Sequence, residues 1–535
     1  MSCLASFPSF LKFTERICQG AVSTDSESQQ QRYVSSSSYG CQRVNKHASA
    51  PPDNSTHTTS IHILDDDSLL NIFYLYRPFL LGEDEDVNIR IEGGRLWARE
   101  RWWYRLTHVC QRWRNLILGS ASYLGLCLVC TYGTPVTDML AHSPPVPLVI
   151  DCLPVGAGRD ISAKDQDATI LALGQRDRVR RVRLSIPALR LQELIVAIDG
   201  EYPILEYLIL VVPIEDKRKI LPAIIPETLQ TPHLRHLAID CSIPIPIRSP
   251  LLGTAAGLLV TLHLALSHPS AYFQPNVLLQ WLSLMPQLEN LRIFFNFAVP
   301  SSDVEMQLLG APITTHATLP NLRFFVFQVA SAYSEVVLSR ITASRLEIFQ
   351  IRYPEPLTSS VPYLLQFMRR TETLKFDRAR FYFYSERAYV KVNPSATSIP
   401  VTAFSINVDS WPLSLQVSSM AQMFTTLSQI LSAVEHLTLW YEEYRRSFEE
   451  YDEVDRTEWL KLLRSFSNVK TLRIEDGLVR ELSRCLRLED GEDPLDLLPE
   501  LQELTYSGSG NTDDAFTPFI DARQNADRPV ILIKS

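Results

Sequence analysis

One pattern constrains the fold of this 535-residue chain more than any other. A triplet of residues spaced φ-x-x-φ-x-φ, where φ is apolar and once Thr, recurs twelve times. It starts at Val179/Val182/Leu184 and runs through Leu205/Leu208/Leu210, Leu234/Leu237/Ile239, Leu259/Leu262/Leu264, Leu288/Leu291/Ile293 and Leu322/Phe325/Phe327. It continues with Leu346/Phe349/Ile351, Thr371/Leu374/Phe376, Val401/Phe404/Ile406, Val434/Leu437/Leu439, Val469/Leu472/Ile474 and Leu501/Leu504/Tyr506. First positions lie 24 to 35 residues apart. The last two members of each triplet are two residues apart, which puts them on one face of a strand. The intervals leave room for a helix, and helical spacing predicts one over 276–285, 358–370, 413–433 and 456–466. Five triplets carry a Pro two residues before their first position (Pro203, Pro232, Pro286, Pro320, Pro499), where it ends a helix and fixes entry to the strand. A strand–helix unit of this size cannot bury its own apolar face, so neighbours must stack into one continuous core. The expected fold class is α/β, with an irregular strand–helix solenoid over 179–535.

Composition narrows the function. Hydrophobic residues at 46% and charged residues at 21% are ordinary for globular protein. A net charge of −9 argues against a surface built to neutralise phosphates, so no nucleic-acid partner is expected. Nine Cys, odd in number and scattered, fit a reducing compartment. The one CxxC, Cys127 to Cys130, lies in an apolar strand-like run without a second pair and reads as two buried thiols rather than a metal or redox site. There is no run of 18 apolar residues and no signal-peptide pattern at the start, which gives a cytoplasmic or nuclear expectation and no membrane partner. HExxH, GxSxG, Walker-type and GxGxxG patterns do not occur. The expectation is a non-enzyme, with no catalytic residue, cofactor or metal. Residues 1–58, rich in Ser, Gln and Thr, are expected to be a disordered tail.

A different pattern occupies 59–120. Leu69, Leu70, Ile72, Phe73 and Tyr76 are spaced along one helical face, and Asp65, Asp66 and Asp67 stand at its start to cap it and suit its dipole. Pro78 ends that helix, and an acidic Gly82 to Gly94 stretch follows. Helical periodicity resumes over 96–118, with Leu106, Val109, Cys110, Trp113, Leu116 and Ile117 on one stripe.

Two half-motifs here, Leu64-Asp-Asp-Asp-Ser-Leu-Leu-Asn-Ile-Phe73 and Val109-Cys110-Gln111-Arg112-Trp113, resemble an F-box. Asp65 stands where that family usually has Pro, and the connection between the halves is roughly ten residues longer than usual. The continuation Leu124-Gly-Leu-Cys-Leu128 and Cys130-Thr-Tyr-Gly-Thr-Pro-Val136 resembles F-box-like proteins of basidiomycete fungi. The repeats behind it, after a connecting or capping segment over 121–178, resemble degenerate leucine-rich repeats, with the family's Asn present only at Asn296. The resemblance implies an all-helical module that binds a Skp-family adaptor through Leu64, Leu69, Ile72, Phe73, Val109 and Trp113, and through the adaptor a cullin. It implies a substrate-recruiting subunit of an SCF-type cullin–RING ubiquitin ligase. The alternative is a repeat scaffold for protein–protein interaction with no ubiquitin coupling; a hydrolase hidden in the αβ array is a third class, with no residue singled out for it.

The target would be held on the strand face opposite the apolar positions. Residues beside the inner triplet members point there, and they include Arg292, Phe324, Arg352, Lys375, Trp440 and Arg473. Arg and aromatic residues are enriched at binding hot spots, so these six are the expected target-binding set, suited to an acidic or phosphorylated protein segment.

Overall fold

The structure is a computed structural model that describes residues 63–77, 101–152, 162–185, 188–211, 226, 228–240, 250–266, 272–295, 314–357, 361–371, 373–374, 376–394, 403–441, 454–475, 477–489, 491–507 and 515–534. The expected tail over 1–58, Pro78, the Gly82 to Gly94 stretch, Asn296 and Lys375 lie outside them. The chain divides into two compact units, Met1–Leu184 and Ser185–Ser535. The described residues are mixed α/β, and no helix among them is long and apolar enough to cross a membrane.

The first unit opens on α1 (Asp66–Tyr76), α2 (Trp102–Leu106) and α3 (Gln111–Gly119). The acidic triplet starts α1 as its charges predict. The Asp65 carboxylate accepts the Ser68 N–H at 2.6 Å, and Asp66 and Asp67 occupy the first turn. That hydrogen bond holds the Asp65 carboxyl below the usual carboxylate range. The single helix expected over 96–118 is instead two among the described residues. The Thr107 hydroxyl turns back to the Tyr104 carbonyl at the end of α2, and Cys110 is fully extended (φ −158°, ψ 168°) as the N-cap of α3.

Next come β1 (Leu128–Cys130), α4 (Val136–His142), β2 (Leu148–Cys152), α5 (Ala163–Leu173) and β3 (Val179–Ser185). The stretch expected to be a connection over 121–178 thus carries strands of its own. β1, β2 and β3 are parallel, with Cys130 beside Ile150 and Ile150 beside Val182. Ser162 caps α5 by accepting the Asp165 N–H at 3.1 Å, and the Asp165 carboxylate accepts the Ser162 hydroxyl in return.

The second unit carries α6 (Ala188–Ala197), β4 (Tyr207–Val211), β5 (His236–Asp240), α7 (Pro250–Ala255), β6 (Thr261–Leu266), α8 (Pro275–Ser283), β7 (Asn290–Phe295), β8 (Ala317–Thr318), β9 (Phe324–Gln328), α9 (Ser331–Leu338), β10 (Ile341–Thr342) and β11 (Ile348–Tyr353). It continues with α10 (Pro362–Arg370), β12 (Arg378–Phe383), β13 (Arg387–Asn393), β14 (Phe404–Asp409), α11 (Leu413–Leu431), β15 (His436–Tyr441), α12 (Arg456–Arg464), β16 (Thr471–Ile474), α13 (Val479–Cys485), β17 (Glu503–Tyr506), α14 (Thr517–Asn525) and β18 (Ile531–Lys534). Its strands form one sheet in the order β4-β5-β6-β7-β9-β11-β14-β13-β12-β15-β16-β17-β18, while β8 and β10 pair separately.

The triplets explain the register. Middle members align across neighbouring parallel strands as Leu208, Leu237, Leu262, Leu291, Phe325, Phe349 and Phe404. Third members align likewise, from Leu210 to Ile406, and both rows are buried. A one-residue slip would turn both rows outward, so the burial of this face fixes the pairing. Helices cover it: Phe367 of α10 packs edge-on against Phe349 at 5.2 Å, and Phe424 of α11 lies 5.0 Å from Phe381.

The eighth triplet departs from the expectation. Thr371, Leu374 and Phe376 are buried but lie on no strand. The strand there is β12, which turns through Tyr384 to Glu386 into antiparallel β13, itself antiparallel to β14. The chain returns to the parallel direction at β14, which pairs with β11, and β12 pairs with β15. The apolar rows survive the reversal. Phe404, Val392, Ala379 and Leu437 continue one, and Ile406, Val390, Phe381 and Leu439 the other.

Candidate interaction surfaces

In the first unit the six residues expected to contact an adaptor fall into two groups. Leu69 and Phe73, four residues apart on α1, are sealed inside. Phe73 meets the half-buried Trp113 of α3 edge-on at 4.8 Å, so that pair clamps the two helices together. Arg112 adds a second clamp: its guanidinium donates to Asp66 at 2.7 Å and to the carbonyl of half-buried Leu64 at 2.6 Å. Ile72 (43% exposed) and Val109 (58%) face water instead. Two further side chains of α1 join them, Leu75 at 75% and Tyr76 at 59%. Ile72, Leu75 and Tyr76 stand three and four residues apart, so they form one apolar strip along the helix. The Tyr76 ring lies 6.3 Å from Trp102 of α2. Leu75 was missed by the sequence reading because it falls on the flank of the stripe of apolar residues.

Cys127 and Cys130, the CxxC pair, are both buried, and no disulfide joins them. Burial pushes the Cys130 thiol up to about 12, which leaves it protonated and unreactive at neutral pH.

In the second unit the sheet face opposite the helices carries the residues expected to hold a target. Arg292 sits half-buried with its guanidinium 4.6 Å from the Phe324 ring. Burial pushes it down to about 10, its Nε has no hydrogen-bond partner, and among the described residues no carboxylate pairs with it. Arg352 is different: it makes a forked bond to Asp409, at 2.7 and 3.1 Å. Arg473 is likewise held, by Glu475 at 2.9 Å. Trp440 packs against Tyr382 and Tyr384, with ring centroids 5.7 and 5.5 Å away. Lys375 lies outside the described residues.

The residues overlooked are those of the β12–β13 hairpin. Its outward side chains are Arg378, Arg380 and Tyr382 on one strand and Arg387, Tyr389 and Lys391 on the other. The signal was present: Arg-Ala-Arg-Phe-Tyr-Phe and Arg-Ala-Tyr-Val-Lys-Val alternate strictly with period two and are separated by three residues. Two shallow depressions flank this hairpin. One, of about 340 Å³, is lined by Phe294, Arg352, Tyr384, Arg387, Tyr389 and Asn407 among others. The second, of about 230 Å³, includes Arg378, Arg380, Thr438 and Arg473. The smaller depression also holds His436, Thr471 and Glu503, with the His436 Nδ1 and the Thr471 hydroxyl 2.7 Å apart. Among the described residues no group of His, Cys, Asp and Glu is arranged to hold a metal ion.

The chain matches no protein-family model and no curated protein.

Proposed function

We propose that the chain is a non-enzymatic recruiting subunit of an SCF-type cullin–RING ubiquitin ligase. Its helical 59–120 region would act as an F-box that binds a Skp-family adaptor, and its strand–helix array as a leucine-rich-repeat-like solenoid that holds a target protein. The observation that carries the first half is the exposed strip Ile72, Leu75 and Tyr76 on α1, with Val109 also facing water. Large apolar side chains grouped on one small helical unit mark a protein contact. The same helix is fixed from behind by Leu69, Phe73 and the Arg112 clamp, so the strip is presented on a rigid support. The F-box half-motifs name the partner class. Recruitment then works by effective concentration: a target held on the same assembly sees the ubiquitin-carrying enzyme at about millimolar concentration.

The test is capture of a purified Skp-family adaptor by the full chain. Ile72→Asp with Leu75→Asp should weaken capture by at least about a hundredfold, since burying each side chain is worth about 1.5–3 kcal/mol, with the thermal midpoint unchanged. A wild-type chain that captures no adaptor, or a double variant that captures it as well as wild type, refutes the reading. The rival reading, a repeat scaffold without ubiquitin coupling, predicts the first of those outcomes.

A further inference from the structure

On the open face of the second unit, we infer that the outward side of the β12–β13 hairpin is a receptor site for an acidic peptide segment, with Arg380, Arg387 and Lys391 taking its carboxylates and the rings of Tyr382, Tyr384, Tyr389 and Trp440 taking its backbone and side-chain carbons. This rests on the reading of that face as the target-holding surface, and it names the place and the chemistry.

The first observation is charge left without a partner. Arg352 and Arg473, on the same face, are each neutralised by a neighbouring carboxylate at 2.7 and 2.9 Å. Arg380, Arg387 and Lys391 have no carboxylate partner among the described residues. The Lys391 ammonium rests 5.1 Å from the Tyr389 ring and 5.7 Å from the Tyr382 ring, and the Arg387 guanidinium 5.3 Å from the Tyr384 ring. A ring attracts a cation but does not cancel its charge, so these groups remain available to an anion. All three stand on the outward side of one hairpin, in a chain whose net charge is −9.

The second observation is the aromatic arrangement. Tyr382 lies 6.1 Å from Tyr389, 6.4 Å from Tyr384 and 5.7 Å from Trp440, which in turn lies 5.5 Å from Tyr384. All four rings are half-buried. Such rings give contact area at small entropic cost, which is why Tyr and Trp dominate hot spots. The third is relief: the ridge separates the two depressions described above, and each of them has guanidinium groups in its lining. An extended segment crossing the ridge would set its acidic side chains over both. Both depressions open to solvent, which suits an extended peptide laid across the ridge.

The experiment uses the full chain and a fluorescein-labelled hepta-glutamate peptide followed by fluorescence anisotropy. Wild type should bind it, and binding should weaken steeply with salt. Arg380→Glu with Arg387→Glu and Lys391→Glu should weaken it at least about tenfold, since even exposed ion pairs contribute about 0.2–1 kcal/mol each and reversal adds repulsion. Arg369→Glu with Arg370→Glu, which changes charge on α10, should leave it unchanged. If the triple variant melts early, Lys391→Met and Trp440→Ala, each expected to weaken binding several-fold, replace it. No binding by wild type, equal binding by the triple variant, or an equal loss in the α10 variant overturns the proposal. So does a charge-matched phosphoserine peptide that binds more than tenfold tighter than hepta-glutamate, because the site would then be built for phosphate. Adaptor capture by each variant, measured in parallel, reads the first unit alone; its loss in wild type would count against the ligase reading and leave the peptide result standing.

Discussion

Replacing Phe381 by Ala tests whether the antiparallel hairpin is an integral part of the second unit's core or an ornament on it. Phe381 is buried between strands, beside Val390 of β13 and Leu439 of β15. Its ring centroid lies 5.0 Å from Phe424 of α11 and 5.7 Å from Phe466. Truncation removes the aromatic ring and leaves a cavity that α11, the segment just after α12 and two strands would have to close. Phe→Ala in a core costs about 3–5 kcal/mol, of which the ring pairs with Phe424 and Phe466 account for about 1–3 kcal/mol. The next residue, Tyr382, points to the open face by strand alternation, so Tyr382→Ala loses ring contacts there without opening a core cavity and should cost less, about 1–2 kcal/mol. Urea unfolding of the full chain, followed by tryptophan fluorescence, measures both: buried Trp459, whose ring lies 5.6 Å from Phe383, reports on this region. Phe381→Ala should shift the transition of that probe to lower urea, and Phe381→Leu should recover most of the loss. A shift for Phe381→Ala no larger than that for Tyr382→Ala would refute the reasoning, because the two residues would then share an environment.

Three further outcomes are expected. Leu69→Ala, on the buried side of α1, should lower stability of the first unit by about 2–5 kcal/mol, read as loss of hydrogen-exchange protection across α1 and α3, while Leu75→Ala on the exposed side should change it by less than about 0.5 kcal/mol. Glu335 of α9 accepts the Tyr363 and Leu364 N–H groups at 2.7 and 2.9 Å. It caps α10, whose own N-cap Val361 offers no side-chain oxygen, so Glu335→Ala should cost about 1–2 kcal/mol, read from the thermal midpoint. The Arg456 guanidinium, forked onto Glu492 at 2.6 and 3.1 Å, pulls that carboxyl down to about 2 from an ordinary 4.5. A depressed carboxyl stabilises the fold above its unfolded value and ceases to as pH falls towards the folded one. The difference in stability between wild type and Glu492→Gln, about 1 kcal/mol after solvent screening, should therefore hold at pH 7 and vanish between pH 4.5 and 2.

What was legible in the sequence follows from how each signal is encoded. The parallel rows could be read because one apolar spacing repeats, and repetition averages away the noise of single residues; Leu208, Leu237, Leu262 and Leu291 fall on one row in the structure as the triplets require. The hairpin was lost for the same reason. Having a period of about thirty in hand favours any apolar triplet that keeps it, and Thr371/Leu374/Phe376 kept it while lying just before the strand. Strict alternation over Arg378 to Phe383 and Arg387 to Val392 is the stronger local signal, since only a strand places every second residue on one face. The open face was legible by parity but not by partnership. Alternation alone puts Arg352 and Arg473 outward, yet whether each meets a carboxylate depends on a strand 57 residues away for Asp409 and on a neighbour two residues away for Glu475. On α1 a helical stripe names a face a third of a turn wide, whereas burial is decided by what packs on it. Trp113 covers Phe73 and leaves Ile72, one residue away, in water. A contact surface is the part of such a stripe that the chain's own partners do not reach, and that boundary is set by the second helix, not by the first.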